Sequence, residues 1–139
     1  MKQTTNSTPN RRNTSLWILQ ILLAAAFLMA GVSKLAGTPA MVQLFTAVGW
    51  GQWFRYVTGA IEVAAAVLLL IPGLSGLAAL LLIPTMAGAI LTHLTVLHSN
   101  PSTPVILLLL AAILLWGRRE QISRIAGQRS GRGSIEGES

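Results

Sequence analysis

Between Tyr56 and Leu97 the chain carries one formally charged side chain, Glu62. An apolar run of this length is foreign to soluble domains, in which about a quarter of the residues are charged. Here 10% of the 139 residues are charged and 53% are hydrophobic, so the chain is read as a membrane protein. That reading makes Glu62 the residue to explain. An ionised carboxylate deep in a bilayer costs about 3 kcal/mol on the mildest scales, and it needs a partner, a proton or water.

Residues 1–15 are polar, rich in Thr, Asn and Ser, and carry Lys2, Arg11 and Arg12; they are expected to form a disordered cytoplasmic tail. The first apolar segment, 16–35, has about the 20 residues that a bilayer requires. It is longer than a signal-peptide core and has no small-x-small cleavage site before Lys34, so it is read as an uncleaved span. Gly37, Thr38 and Pro39 end it. Met41, Leu44, Phe45 and Val48 then recur at helical spacing and predict a short interfacial helix, with Trp50 and Trp53 at the membrane boundary.

The second span is expected at 54–71, with a turn at Pro72 and Gly73. The third is expected at 77–97, with a kink near Pro84 and Gly88. The fourth, 104–117, is short and leans on Arg118 and Arg119 snorkelling or on a thinned bilayer. Residues 119–139 read as a basic cytoplasmic tail, largely disordered. The expected fold is an all-α, integral membrane four-helix bundle spanning 16–118, with the short interfacial helix between spans one and two.

The net charge of +6 is concentrated in the two tails, whereas the loops near Gly73 and Asn100 have no charge. The positive-inside rule then puts both termini on the cytoplasmic side of the membrane. Nucleic-acid binding is not expected, because the basic tails lack a folded readout element. With 0 cysteines, disulfides, thiol catalysis and iron–sulfur ligation are excluded within the chain.

Four spans place the end of span one, the start of span two and the end of span three at the face opposite the termini. Glu62 lies about 10 Å deeper than Arg55 along span two. Lys34 can reach inward on its long stem, and His93 lies more than a turn inside its helix end. Lys34, Glu62 and His93 are therefore expected to converge in a polar pocket opening outward, with Arg55 and His98 as accessory residues. Gly59, Glu62, Val63 and Ala66 share one side of span two, where small residues allow close helix approach. A structural Lys34–Glu62 ion pair is the plainer alternative. No metal is expected, because His93 and His98 are about 140° apart around a helix. No nucleophilic triad or phosphate loop is present, so catalysis by this chain alone is not expected.

The segments Ala30-Gly31-Val32-Ser33-Lys34-Leu35, Gly59-Ala60-Ile61-Glu62-Val63 and Ala89-Ile90-Leu91-Thr92-His93 resemble the DoxX-like family of small four-span bacterial membrane proteins. The resemblance covers residues 16–118 and implies a four-helix membrane bundle. It also implies one of two roles: a subunit of a membrane redox complex, as in thiosulfate:quinone oxidoreductase, or an assembly factor for other membrane proteins. The family pattern falls on Lys34, Glu62 and His93. The leading expectation is an accessory, non-catalytic redox subunit that binds a quinone-like lipophile. The alternatives are an assembly or interaction factor with no redox role and a small solute or proton carrier.

Overall fold

A bilayer offers no water to unpaired backbone groups, so each apolar run must close its own hydrogen bonds as a helix. The computed structural model describes residues 11–133, with side chains described through residue 127. These residues form α1 (Arg11–Ala36), α2 (Pro39–Val48), α3 (Gln52–Leu70), α4 (Ser75–Thr95), α5 (Ser102–Gly117) and α6 (Arg119–Gly133). No strand occurs among them, and the fold is an all-α membrane helical bundle. Residues 1–10, which hold most of the expected N-terminal tail, and residues 134–139 lie outside the described residues.

Three helices, α1, α3 and α4, are long and apolar enough to cross a membrane. The apolar α5 has 16 residues, which makes it about 24 Å long against about 30 Å of hydrocarbon. The core is built where the four apolar helices meet: Leu23 and Phe27 of α1, Ala65 and Leu69 of α3, Ala78 and Leu82 of α4, Ala111 and Leu114 of α5. The many alanines let helix axes approach where apolar lipid provides no hydrophobic drive for association. Ile18, Leu22, Met29, Val67, Leu91, Ile106, Leu109 and Ile113 point outward and are exposed. In water an apolar belt of this extent would be a liability, whereas acyl chains solvate it.

The tightest helix pair is α1 with α3, which run antiparallel. A Cβ added at Gly31 would lie 2.7 Å from Val63 Cγ2 and 2.8 Å from the Gly59 carbonyl oxygen. A Cβ at Gly59 would lie 3.0 Å from Lys34 Cβ and 3.1 Å from the Gly31 carbonyl oxygen. The two glycines thus bring backbone against backbone. The interfacial helix α2 docks through buried Phe45, whose ring meets Phe54 of α3 edge-on at 5.8 Å. Trp50 and Trp53 are exposed beside this contact.

Two expectations for the tails are corrected. Helix α1 begins at Arg11, inside the segment expected to be disordered, because its first turn is tied to the end of α5. Arg12 Nη2 donates to the Gly117 carbonyl at 3.1 Å, and Arg118 Nη1 donates to Asn13 Oδ1 at 2.9 Å. The 119–139 tail is likewise helical over Arg119–Gly133. Near its start, Gln121 Oε1 accepts from Ser75 Oγ at 3.0 Å and from the Gly76 backbone N–H at 2.9 Å. Those groups open α4, and Leu74 before them supplies no side-chain cap. Gln121 of α6 takes over the role that an N-cap residue plays in a soluble helix.

Candidate functional site

Lys34 and Glu62 each stand three residues after a glycine of the α1–α3 contact, on the same helix face. The close backbone approach at Gly31 and Gly59 therefore brings their side chains together. Lys34 Nζ donates to Glu62 Oε1 at 3.0 Å and to Oε2 at 2.8 Å. It is the one ion pair among the described residues, with side-chain exposures of 17% for Lys34 and 3% for Glu62. Both carboxylate oxygens are engaged by one ammonium, which has three N–H donors and so keeps one to offer.

Arg55 lies at the same end but does another job. It is buried, and its Nη1 donates to the Lys34 backbone carbonyl. Its Nε donates to Gln52 Oε1 at 2.7 Å, and its guanidinium lies 4.3 Å from the Tyr56 ring centroid. The planar head packs against Gly37, whose φ of +68° turns the chain out of α1. The Lys34 carbonyl, in the last turn of α1, thus accepts from Arg55 as well as from the Gly37 backbone N–H at 3.2 Å.

His93 and His98 are not joined to the pair by any hydrogen bond among the described residues. His93 Nδ1 bonds Ser99 Oγ at 2.8 Å, while the Ser99 N–H donates to the His93 carbonyl at 3.0 Å. Together they close the end of α4. His98 is exposed, in a left-handed turn conformation with φ 44°. The structure thus brings Lys34 and Glu62 together, places Arg55 beside them as a cap, and has His93 bonded locally.

The other end of the bundle holds a polar network that the sequence reading missed. Gln20 is buried in α1; its Nε2 donates to the Leu69 carbonyl at 2.9 Å, and its Oε1 accepts from Arg118 Nε at 2.9 Å. Leu69 is in the last turn of α3, so Gln20 caps that helix as Arg12 caps α5. The signal was available: Gln20 stands inside an apolar span, the same anomaly that draws attention to Glu62. Arg55, Gln20, Arg12 and Gln121 all bind backbone groups at helix ends. Lys34–Glu62 satisfies no helix end, and this sets it apart.

The sequence pattern around this pair has a family context. The model of the DoxX-like family matches residues 18–116, from the first span through the last turns of α5. The chain belongs to the DoxX-like family. The match takes in Lys34, Arg55, Glu62 and His93 and leaves α6 outside. Comparison of this DoxX-like chain with curated proteins and with solved structures gave no match.

Proposed function

We propose that this DoxX-like protein is a multi-pass, four-span protein of the bacterial inner membrane with both termini in the cytoplasm. It serves as a non-catalytic, accessory subunit of a membrane redox complex, and it holds a quinone-like lipophile at Lys34–Glu62. Arg11, Arg12, Arg118 and Arg119 gather at the end that carries the termini, which supports the orientation. The apolar, fully helical α5 supports a fourth span, with Arg118 and Arg119 just beyond it.

The observation that carries the ligand reading is the shape of the ion pair. Glu62 is sealed off while Lys34 is 17% exposed, with one N–H uncommitted. The pair is neutral overall, so it suits a neutral lipophile, and the free N–H can donate to a ring carbonyl. The lipid-facing surface of α3 is apolar, with Ile61 and Val57 exposed. A ligand here needs only one directed hydrogen bond on an otherwise apolar wall.

A second reading is favoured by the same geometry: both carboxylate oxygens are already used, as in a purely structural lock. In that case the protein acts through helix contacts with partner membrane proteins. The two readings separate in nanodiscs titrated with a short-chain benzoquinone and a naphthoquinone. Trp50 and Trp53 stand at this end of the bundle and report quinone by fluorescence quenching. Saturable quenching and a raised melting temperature in wild type, both lost in a folded Glu62→Gln variant, are expected. Linear, unsaturable quenching identical in the two proteins rejects the lipophile and leaves the interaction reading.

A further inference from the structure

A cleft of about 240 Å³ opens at the termini end of the bundle, between the first turns of α1 and the α5–α6 junction. It is lined by Arg12, Asn13, Leu16, Gly117, Arg118 and Glu120. The two guanidiniums are only partly committed. Arg12 gives Nη2 to the Gly117 carbonyl, while Arg118 gives Nε to Gln20 and Nη1 to Asn13. Arg118 Nη2 is buried and has no hydrogen-bond partner among the described residues. A buried donor left in that condition is destabilising, the more so when the group is charged.

The electrostatics point the same way. Burial and the neighbouring Arg12 guanidinium both lower the proton affinity of Arg118, so two like charges face each other without relief. Glu120 lines the same cleft but lies beyond ion-pair distance of either arginine. The missing partner is therefore an anion with several acceptor oxygens, small enough to enter between two guanidiniums.

Depth narrows its nature. Arg12 and Lys34 are 22 residues apart on α1 (34 − 12), which is about 33 Å of helix and close to the hydrocarbon thickness of a bilayer. With Lys34 near one boundary, Arg12 sits at headgroup level on the other. Exposed Ile18 and Leu22 lie about half a turn around α1 from the cleft and face the acyl chains. Trp116, also exposed, stacks with the Arg119 guanidinium at 4.9 Å. We propose that Arg12 and Arg118 form a binding site for a phosphate-type oxyanion, presented by an anionic phospholipid headgroup or free in solution. Phosphate oxygens take the remaining Arg12 donors in the forked geometry that guanidinium favours, and reach Arg118 Nη2, which is closed to solvent, once its side chain shifts toward the cleft. The bound anion also ties α1 to the α5–α6 junction.

The test uses the full chain in phosphatidylcholine nanodiscs, either with a graded fraction of phosphatidylglycerol or with inorganic phosphate added. Native mass spectrometry counts retained lipid, and thermal unfolding reads stabilisation. Arg118 also holds Gln20 and Asn13, so its removal risks unfolding; Arg12→Gln is the informative variant, and Arg124→Gln on exposed α6 surface is the control. Wild type should retain phosphatidylglycerol over phosphatidylcholine, and Arg12→Gln should bind it about tenfold more weakly, with Arg124→Gln unchanged. Stabilisation by phosphatidylglycerol alone assigns the site to a headgroup; stabilisation by inorganic phosphate that competes with the lipid assigns it to a soluble ion. Equal binding by wild type and Arg12→Gln, or an equal loss in Arg124→Gln, overturns the proposal.

Discussion

Replacing Lys34 by Met keeps most of its stem and removes its charge, which isolates what the ion pair contributes. At the 2.8 Å separation of the pair and an effective dielectric constant of about 20, the gross attraction is about 6 kcal/mol. That is an upper bound, since both charges lost hydration to meet. Glu62 sets the actual cost. With 3% of its side chain exposed and a short stem, it cannot reach water, and its cheapest escape is a proton. For an ordinary carboxyl at about pH 7 a proton costs about 3.7 kcal/mol, which caps the charge penalty of Lys34→Met. The converse variant, Glu62→Gln, strands a lysine that is 17% exposed near a helix end, where it can snorkel. Its cost should be smaller, about 1–2 kcal/mol. The double variant Lys34→Met with Glu62→Leu removes both charges and should return to within about 1 kcal/mol of wild type.

Reversible unfolding in mixed micelles, followed by tryptophan fluorescence, reads these differences. The folded Lys34→Met variant with a protonated Glu62 holds one more proton than its unfolded chain, so its stability falls as pH rises. Moving from about pH 7 to about pH 5 should restore about 2.7 kcal/mol of the loss. Single variants of equal cost, no pH dependence in Lys34→Met, and a double variant no better than the worse single would refute a buried, ionised pair.

Glycine substitutions test the α1–α3 contact. Gly31→Ala must push Val63 and the Gly59 backbone away and should cost about 1–3 kcal/mol, whereas Gly88→Ala meets nothing within 4 Å and should be neutral or stabilise by about 0.5–1 kcal/mol. Equal effects of the two in the same unfolding assay would contradict the close approach. Gln20→Leu leaves the Leu69 carbonyl and Arg118 Nε without their partners and should cost about 2–4 kcal/mol. Hydrogen exchange should then speed up at the end of α3 and not at the end of α4, where Ser99 and His93 do the closing.

Much of the fold was legible because apolar length and helical spacing are local properties. The second span, expected at 54–71, is α3 at Gln52–Leu70, and the spacing of Met41, Leu44, Phe45 and Val48 marks α2. The meeting of Lys34 with Glu62 follows from two glycines, each three residues ahead of a charge, on antiparallel helices. His93 was harder to place, because a hydroxyl six residues on, Ser99, competes for its ring nitrogen. The α6 helix and the capping roles of Arg12, Gln20, Arg55 and Gln121 were not legible. Each depends on which helix end arrives beside which side chain, and no local pattern encodes that.

This capping logic changes how polar residues in a small membrane bundle are weighed. Every helix end at the membrane boundary demands partners for its backbone, and a chain with so few polar side chains must draw those partners from neighbouring helices. Arg55 illustrates the consequence: a buried arginine beside an acid looks like part of a site, yet its hydrogen bonds go to the Lys34 carbonyl and to Gln52. Lys34–Glu62 is explained by no such demand, so it exists either to fix the register of α1 on α3 or to meet a ligand. The apolar double variant separates these. If it folds as well as wild type and still shows saturable quinone quenching, the pair does neither job uniquely. If it folds and the quenching is lost, the charges are there for the ligand. If it folds into a bundle with altered α1–α3 contacts, read by disulfide trapping between cysteines introduced on the two helices, their role is register.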